Sequence, residues 1–399
     1  MSTLKKDLIN YSQNHREPQT LQEIRLAGAT HLEQAPPLKV ERLAYSKWLD
    51  NEIATEALKM PASTWELAQI DALRAQGVYV ADFKQAAQER PELLEKYFIE
   101  YSRQYIGDCQ QLAMQQALFN DGLVIYFPKG FQLKETLHLR QALPQIAVQN
   151  VLIVLDEQVD VDLAHTLTSK SEEAGQAHVL IEVITEPSSR LRYLSVNELK
   201  EQQPAYILRT GFTARDAAIY WKQVELGQNS LIADLRTHLL GEGSESILEA
   251  IAISSGQQTV GINSQITNHA SHTNGDIHQK GVALDESTLT FNGIGHIIKR
   301  AKEANSQQES RILMLSDQAR GDTNPILLID EFEVMAGHAA SIGQIPPEDL
   351  YYLTSRGIHK KEALRMYARG FLKSTITGEY PDAVLDLEHA LREKMILNE

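Results

Sequence analysis

The 399-residue chain has very little cysteine, since Cys109 is the only one. A single thiol excludes an internal disulfide framework and fits a reducing compartment. It also excludes a self-sufficient iron–sulfur site, because such sites are held by about four thiolates, or by two with histidines. Cys109 is either a reactive, sulfur-carrying thiol or a small buried hydrophobic residue. We favour burial, because it shares an apolar face with Leu112 and has no Lys, Arg or His within a turn.

The chain also lacks long apolar runs and an excess of positive charge. Runs such as Val151–Leu155 fall far short of the ~20 residues that a membrane-spanning helix needs. The N-terminal stretch MSTLKKDLINYSQNH has no apolar signal core, so we expect a cytoplasmic protein. The formal net charge of -15 disfavours nonspecific binding to nucleic acid. We therefore expect neither a membrane nor a nucleic-acid partner.

Two motifs of nucleotide and hydrolase sites are missing. The sequence contains no G-x-x-x-x-G-K-[ST] loop, so we expect no nucleotide to be bound by this chain itself. It contains no G-x-S-x-G nucleophile elbow either. We interpret acidic pairs such as Glu331 and Glu333 as solvated faces. This pair also precedes His338 closely, so it is a candidate for bounding a metal entrance.

A long series of short β patterns dominates the chain from residue 123 onward. The clearest runs are Val151–Leu155, His178–Thr185, Leu191–Val196, Ala217–Val224 and Ser246–Ser254. Many short strands with no helical pattern between them predict an all-β body, and its length favours a parallel β-helix over a sandwich. The prediction is a mainly β chain with a β-helix core at 123–345, between helical regions at 1–122 and 346–399.

Three histidines lie close together in the stretch NHASHTNGDIH, namely His269, His272 and His278. Histidines at this density can bind zinc or iron. His269 and His272 differ by three positions and would point to opposite faces of a regular strand. His272 and His278 could share a face if the intervening turn permits it. We favour a polar edge of the β body, with a metal site as the alternative.

The stretch from Asn324 to Phe371 changes from β to helical patterns. Alternation of Phe332 and Val334 with acidic residues predicts a strand. A small, flexible segment with His338 inside it follows, and this segment is where the chain is predicted to leave the β body. Two short helices are predicted beyond Pro346, and another from about Pro381.

The same stretch resembles the SufB/SufD family of iron–sulfur cluster assembly scaffolds. The residues that carry the resemblance are Pro325, His338 with Gly343, Tyr352-Leu353, Ser355-Arg356-Gly357-Ile358, Ala363 and Gly370-Phe371, with Lys280-Gly281-Val282 and Phe291-Asn292-Gly293 upstream. The family's usual His-Gly-Ala-Thr-x-Gly turn is His-Ala-Ala-Ser-Ile-Gly in this chain, which leaves the histidine in place. The resemblance covers more than half of the chain.

The resemblance implies a right-handed parallel β-helix with a scaffold role and no catalysis. It implies a SufB-like partner subunit, a SufC-like ABC ATPase on the C-terminal helices, and a transient iron–sulfur cluster shared at the subunit interface. SufB-like chains carry a cysteine near the histidine turn, whereas this chain has Met335-Ala336-Gly337, so a SufD-like member is the better match. His338 is then the metal ligand that faces a cysteine of the partner.

Several alternatives stay open from the residues alone. His338 could be a turn histidine bonded to nearby backbone, with no ligand role. The chain could be a stand-alone β-helix enzyme acting on carbohydrate, or a homodimeric structural protein without a cluster role. A SufD-like chain could also form a homodimer in isolation.

Overall fold

The computed structural model describes residues 3–37, 40, 53–107, 109–375 and 389–395. Within them the chain is mainly β and forms a parallel β-helix of about eight turns, with helices before and after it. The mainly β prediction and the β-helix are therefore confirmed, while the right-handed sense stays an implication of the resemblance. The predicted helix start near Pro381 lies outside the described residues.

Each turn of the β-helix supplies one strand to each of two sheets. Sheet A contains β1 and the even-numbered strands from β4 to β18, and sheet B contains β2 and the odd-numbered strands from β3 to β17. The strands are β1 (Thr64–Leu67), β2 (Tyr79–Asp82), β3 (Asp121–Phe127), β4 (Leu137–Leu143), β5 (Ile146–Leu155), β6 (Asp160–Ser169), β7 (Gln176–Thr185), β8 (Arg190–Glu198), β9 (Ala205–Thr213), β10 (Ala218–Glu225), β11 (Leu231–Leu239), β12 (Glu245–Ser254), β13 (Thr259–Asn268), β14 (Asn274–Ala283), β15 (Thr288–Ile297), β16 (Asn305–Met314), β17 (Arg320–Ile329) and β18 (Met335–Gly343).

Side chains alternate between the lumen of the β-helix and its outer surface, as the pleat of a strand requires. Lumen positions stack in register from turn to turn, so that Ile207 lies opposite Val179 on one side and Ala233 on the other. Leu, Ile and Val dominate these positions and form one continuous core, to which Tyr193 and Trp221 also belong. Burying one such aliphatic side chain stabilises the fold by about 1.5–3 kcal/mol, so the stacked lumen is the main source of stability.

Helices cover the outer faces of both sheets. The helices are α1 (Thr3–Asn14), α2 (Gln19–Leu32), a 3-10 helix (Ile53–Lys59), α3 (Ile70–Ala75), α4 (Phe83–Glu89), α5 (Pro91–Tyr97), α6 (Glu100–Ile106), α7 (Gln110–Leu118), α8 (Pro347–Ser355) and α9 (Lys360–Lys373), with a further helical segment at 389–394. The N-terminal helices share a hydrophobic cluster with the outer face of sheet B, and α9 shares another with sheet A. Among the described helices, none is long and apolar enough to cross a membrane.

The N-terminal region is less purely helical than its sequence patterns predict. Trp65 lies in β1, which pairs antiparallel with β4, and β2 pairs antiparallel with β3. These two short strands therefore extend the two sheets at the first turn of the β-helix. The pattern Gly77-Val78-Tyr79-Val80 predicts a short strand that overlaps β2, whereas Trp65 was expected in a helix. Pairing with an existing sheet edge stabilises a four-residue strand such as β1.

Candidate functional site at the open end of the β-helix

The last turn of the β-helix is exposed, unlike the turns before it. β17 and β18 are the terminal strands of their sheets, each hydrogen-bonded to a single neighbouring strand. Leu328, Met335 and Ile342 are 46%, 66% and 44% exposed, and Phe332 in the connection between the strands is 98% exposed. Large apolar side chains beside an unpaired strand edge are typical of an interaction surface. We call this end, residues 320–343, the open end.

His338 lies within β18, where its backbone pairs opposite Gln308 of β16. Gln308 belongs to the buried, lumen-facing row of β16, together with Ser306 and Ser310. Residues opposite each other in neighbouring strands share one face of the sheet. His338 therefore lies on the lumen-facing row of sheet A, and it is exposed because β18 is the last strand of that sheet.

This placement corrects two predictions from the sequence. The segment around His338 is not a flexible turn after the final strand; it is the final strand, held by backbone pairing with β16. The strand predicted through Phe332 and Val334 is wrong, because residues 330–334 connect β17 to β18. Small residues suit this edge because Gly337 lies close to Gln307, whose Oε1 would be 2.7 Å from an added Cβ.

The acidic pair before His338 is engaged by the chain itself. Glu331 accepts hydrogen bonds from the backbone N–H groups of Arg300 at 2.9 Å and Phe332 at 2.8 Å. The bond from Phe332, then that from Arg300, lowers the pKa of the Glu331 carboxyl. Glu333 forms an ion pair with Lys302 at 3.1 Å. The two carboxylates thus stabilise the connection between β17 and β18. Their role at a metal entrance stays a prediction.

His338 is a single ligand candidate and not a complete metal site. Across the described ranges, no three His, Cys, Asp or Glu side chains are grouped so that they could hold a metal ion. Cys109 cannot complete a site here in its present form, because it is 5% exposed at the start of α7. This low exposure confirms the buried interpretation, and burial raises the pKa of the thiol. Cys109 precedes α7 by one residue.

Polar side chains also occupy part of the lumen, where the alternation alone predicts only a hydrophobic core. His165 contacts Tyr193 at 2.6 Å and Gln141 at 3.2 Å, and burial lowers its pKa to about 3. Further along, Arg209 donates to Ser195 at 2.6 Å. These hydrogen bonds satisfy His165 and make the register specific. Within the described residues, Nε and Nη1 of Arg209 have no hydrogen-bond partner, although Nη1 lies 3.7 Å from the carboxylate of Glu225.

The polar positions of the lumen continue to the open end. Gln279 donates to Ser264 at 3.0 Å and accepts from Ser310 at 2.7 Å. Gln308, opposite His338, donates to the carbonyl of Ile326 at 2.9 Å, while its buried Oε1 has no hydrogen-bond partner within the described residues. His338 therefore stands beside a polar part of the lumen and not beside the aliphatic core.

The three clustered histidines do not come together. His269 follows β13 and contacts His238, Nε2 to Nδ1, at 3.0 Å. His272 sits in a turn with φ of +58° and lies 3.4 Å from Glu242 and 3.3 Å from Glu303. His278 lies within β14. The histidine pattern in the sequence did not indicate His238 as a partner of His269. Their separation along the chain, which equals one turn of the β-helix, was a signal for this contact.

These observations define a class of protein. The molecule is a parallel β-helix with helices on both outer faces, and its candidate site lies on an exposed terminal turn. That turn offers unpaired strand edges, apolar side chains and one histidine. Such a surface is suited to binding another chain.

Comparison with known proteins identifies the family. Residues 138–371 match the family model "SUF system FeS cluster assembly, SufBD core domain", and residues 64–139 match the SufBD protein N-terminal region. The chain is 31% identical to the iron–sulfur cluster assembly protein SufD of Bacillus subtilis (strain 168), over 94% of this chain and 93% of that protein. It is 27% identical to an iron–sulfur cluster assembly SufBD family protein of Staphylococcus aureus (strain USA300), over 77% of this chain and 67% of that protein. The chain belongs to the SufBD family of iron–sulfur cluster assembly proteins.

Proposed function

We propose that this chain is a SufD-like, non-catalytic subunit of a cytoplasmic scaffold complex on which iron–sulfur clusters are built. Membership of the SufBD family and the likeness to a protein named SufD support this role. The observation that carries it is the open end, where His338 stands beside unpaired strands and exposed apolar side chains. Family membership supports this role over the carbohydrate-active alternative.

A SufB-like subunit is the proposed partner of the open end. Adding a second β-helix there would pair the edges of β17 and β18 and remove side chains such as Phe332 and Met335 from water. Alone, the same surface would favour a homodimer, because an isologous pairing also covers it. Two assemblies therefore compete for one surface, and the SufB-like subunit is expected to prevail when both chains are present.

The iron–sulfur cluster is the cargo of the proposed complex, shared between subunits and held transiently. This chain contributes one imidazole at the open end, and its only thiol is buried elsewhere. Neutral imidazole is a suitable ligand for iron, whereas the thiolates that a cluster needs would come from the partner. A cluster at the interface therefore requires both chains.

A SufC-like ATPase is the proposed partner of the C-terminal helices. Ala363, Ala368 and Leu372 of α9 are fully buried. Tyr351 and Tyr352 of α8 are 74% and 58% exposed. Exposed tyrosines on a helix anchored by its neighbours are typical of an interaction surface. This chain would bind the ATPase there without binding nucleotide itself.

The test of this proposal is the His338→Ala variant, co-expressed with the SufB-like and SufC-like proteins. We expect an intact complex with a strongly reduced iron and sulfide content and reduced activity of iron–sulfur enzymes in the cell. His278→Ala is the matched control, because His278 lies on the same sheet but on the opposite face. Normal cluster content in the His338→Ala complex would contradict the ligand role.

The isolated chain provides a second test. Anaerobic reconstitution should leave no stable cluster on it, because it lacks the thiolates of a complete site. A stoichiometric, chelator-resistant chromophore on the isolated chain would contradict the shared site. Co-purification from native cytosol, followed by mass spectrometry, tests the proposed partners directly.

A further inference from the structure

Two histidines form a close pair on the outer face of sheet B, away from His338. His238 lies near the end of β11, and His269 directly follows β13 in the next turn of the β-helix. Nδ1 of His238 is 3.0 Å from Nε2 of His269. Tyr105 of α6 packs against both rings, with centroids 5.3 Å away in each case, so helix α6 partly covers the pair.

The surroundings of the buried ring in this pair do not fix its tautomer. His238 is only 3% exposed, and within the described residues its Nε2 has no hydrogen-bond partner. No second hydrogen bond therefore fixes which nitrogen of this ring carries the proton. Burial, then the neighbouring ring, lowers the pKa of His238 to about 3, and burial also lowers the pKa of His269 to about 4. Both rings are neutral near neutral pH, which is the form that binds metal ions.

A third histidine lies on the same face one turn further toward the open end. His296 of β15 and His238 of β11 are both opposite Thr267 of β13, so they are separated by two strand spacings, about 10 Å. His269 lies on the turn between them. Nε2 of His296 is 3.3 Å from Oδ2 of Asp330. A carboxylate on one ring nitrogen is the arrangement that orients metal-ligating histidines in proteins, and it leaves Nδ1 to coordinate.

We propose that His238 and His269, completed by His296, form a binding site for a first-row divalent metal ion. The ligand atoms are Nδ1 of His238, Nε2 of His269 and Nδ1 of His296, with Asp330 orienting the third ring. Nitrogens about 3 Å apart are close to the spacing of two ligands on one tetrahedral ion. Across the described ranges no three ligands already converge, so His296 turns toward the pair when the ion binds.

Binding of the ion changes where the protons sit on the imidazole rings. The ring that donates the hydrogen bond between Nδ1 of His238 and Nε2 of His269 moves that proton to its other ring nitrogen, so both facing nitrogens can coordinate the ion and no net proton is released. Imidazole-only ligation favours Zn²⁺, Co²⁺, Cu²⁺ or Fe²⁺ over Mg²⁺ and Ca²⁺. This site is separate from the open-end histidine and does not depend on the proposed function.

The test is titration of the purified full-length chain with Co²⁺, followed by visible absorption, and with Zn²⁺, followed by calorimetry. We expect one ion per chain and ligand-field bands without a thiolate charge-transfer band, because Cys109 is the only cysteine and is buried. His269→Gln should weaken binding at least tenfold, and His296→Gln by about tenfold. His338→Ala and His278→Gln should bind as the wild type does.

Thermal melting checks the fold of each variant and supplies an independent readout. Excess Zn²⁺ should raise the melting temperature of the wild type and of His338→Ala, but not that of His269→Gln. His269 and His296 are substituted in preference to the fully covered His238, so that the variants fold. Wild-type affinity in His269→Gln, no binding by the wild type, or loss of binding only in His338→Ala would each overturn the proposal.

Discussion

At its N-terminal end the β-helix is closed, whereas at its C-terminal end the last turn is exposed. β1 and β2 add antiparallel strands beyond the first turn, and Phe127 of β3 is completely buried there. At the other end β17 and β18 have no such additions within the part of the chain that the structure describes, and Phe332 is 98% exposed. Terminal repeats need a cap for solubility. The uncapped end is therefore the one that a partner is expected to cover.

The largest expected effect comes from truncating one phenylalanine at each end. Phe127→Ala leaves a cavity in the lumen core and should lower the free energy of unfolding by about 3–5 kcal/mol. Phe332→Ala should change it by less than about 0.5 kcal/mol, because this side chain is already in water. Chemical denaturation of both variants measures the difference. Equal losses in the free energy of unfolding would mean that the two phenylalanines are equally well packed.

Adding one methyl group to a glycine at each end gives a smaller contrast. A Cβ on Gly122 would lie 2.4 Å from ring carbons of Phe83, a buried ring of α4, so Gly122→Ala should cost about 1–3 kcal/mol. A Cβ on Gly337 meets only the side chain of Gln307, which can rotate away. Gly337→Ala should therefore stay within about 0.5 kcal/mol. Thermal melting of the two variants measures this contrast. A large loss of stability in Gly337→Ala would contradict an uncovered strand edge at β18.

A lysine on the exposed edge tests partner binding while sparing the fold. Ile342→Lys places a charge on the lumen-facing row of β18, where a partner would bury it, so association with the SufB-like subunit should weaken at least tenfold, about 1.4 kcal/mol. Calorimetric titration of the two purified chains measures this change. Met366→Lys on α9 is the control; it should leave this association intact and weaken only ATPase binding. Undiminished pairing of Ile342→Lys would place the interface elsewhere.

The smallest expected effect is the pH dependence of stability that one carboxyl at the closed end contributes. Burial raises the pKa of Asp121 in β3 to about 6, above its ordinary value of 3.8. The folded state then binds more protons than the unfolded state between these values, so stability falls as pH rises from about 4 to about 6. Asp121→Asn should remove a destabilisation on the order of 1 kcal/mol at pH above about 6, because partial solvation screens the nominal shift.

Denaturant midpoints at several pH values check this prediction. The variant should gain stability relative to the wild type only on the alkaline side of the titration. Glu333→Gln, an exposed carboxylate of the open end, serves as the control and should show no comparable gain. If the stability of Asp121→Asn depended on pH as that of the wild type does, the Asp121 carboxyl would be solvated in the folded protein.

Much of the architecture was predictable from local patterns. Runs such as Val151–Leu155 and Ser246–Ser254 lie within β5 and β12, because a buried β-strand has a period and composition visible in a few residues. Burial of Cys109 was predictable too, since its apolar neighbours and the absence of nearby cations are local facts. The family resemblance located His338, but not the structural element that contains it.

The sequence by itself determined the alternation of strands and turns, the helical ends and the shortage of thiols. Only the tertiary structure decided which strands are the last of their sheets, that His338 lies on a lumen-facing row, and that His238 meets His269. The physical reason is that each turn of the β-helix brings together residues about thirty positions apart. Local alternation specifies a face of one strand, whereas contacts between turns depend on the register of the whole stack.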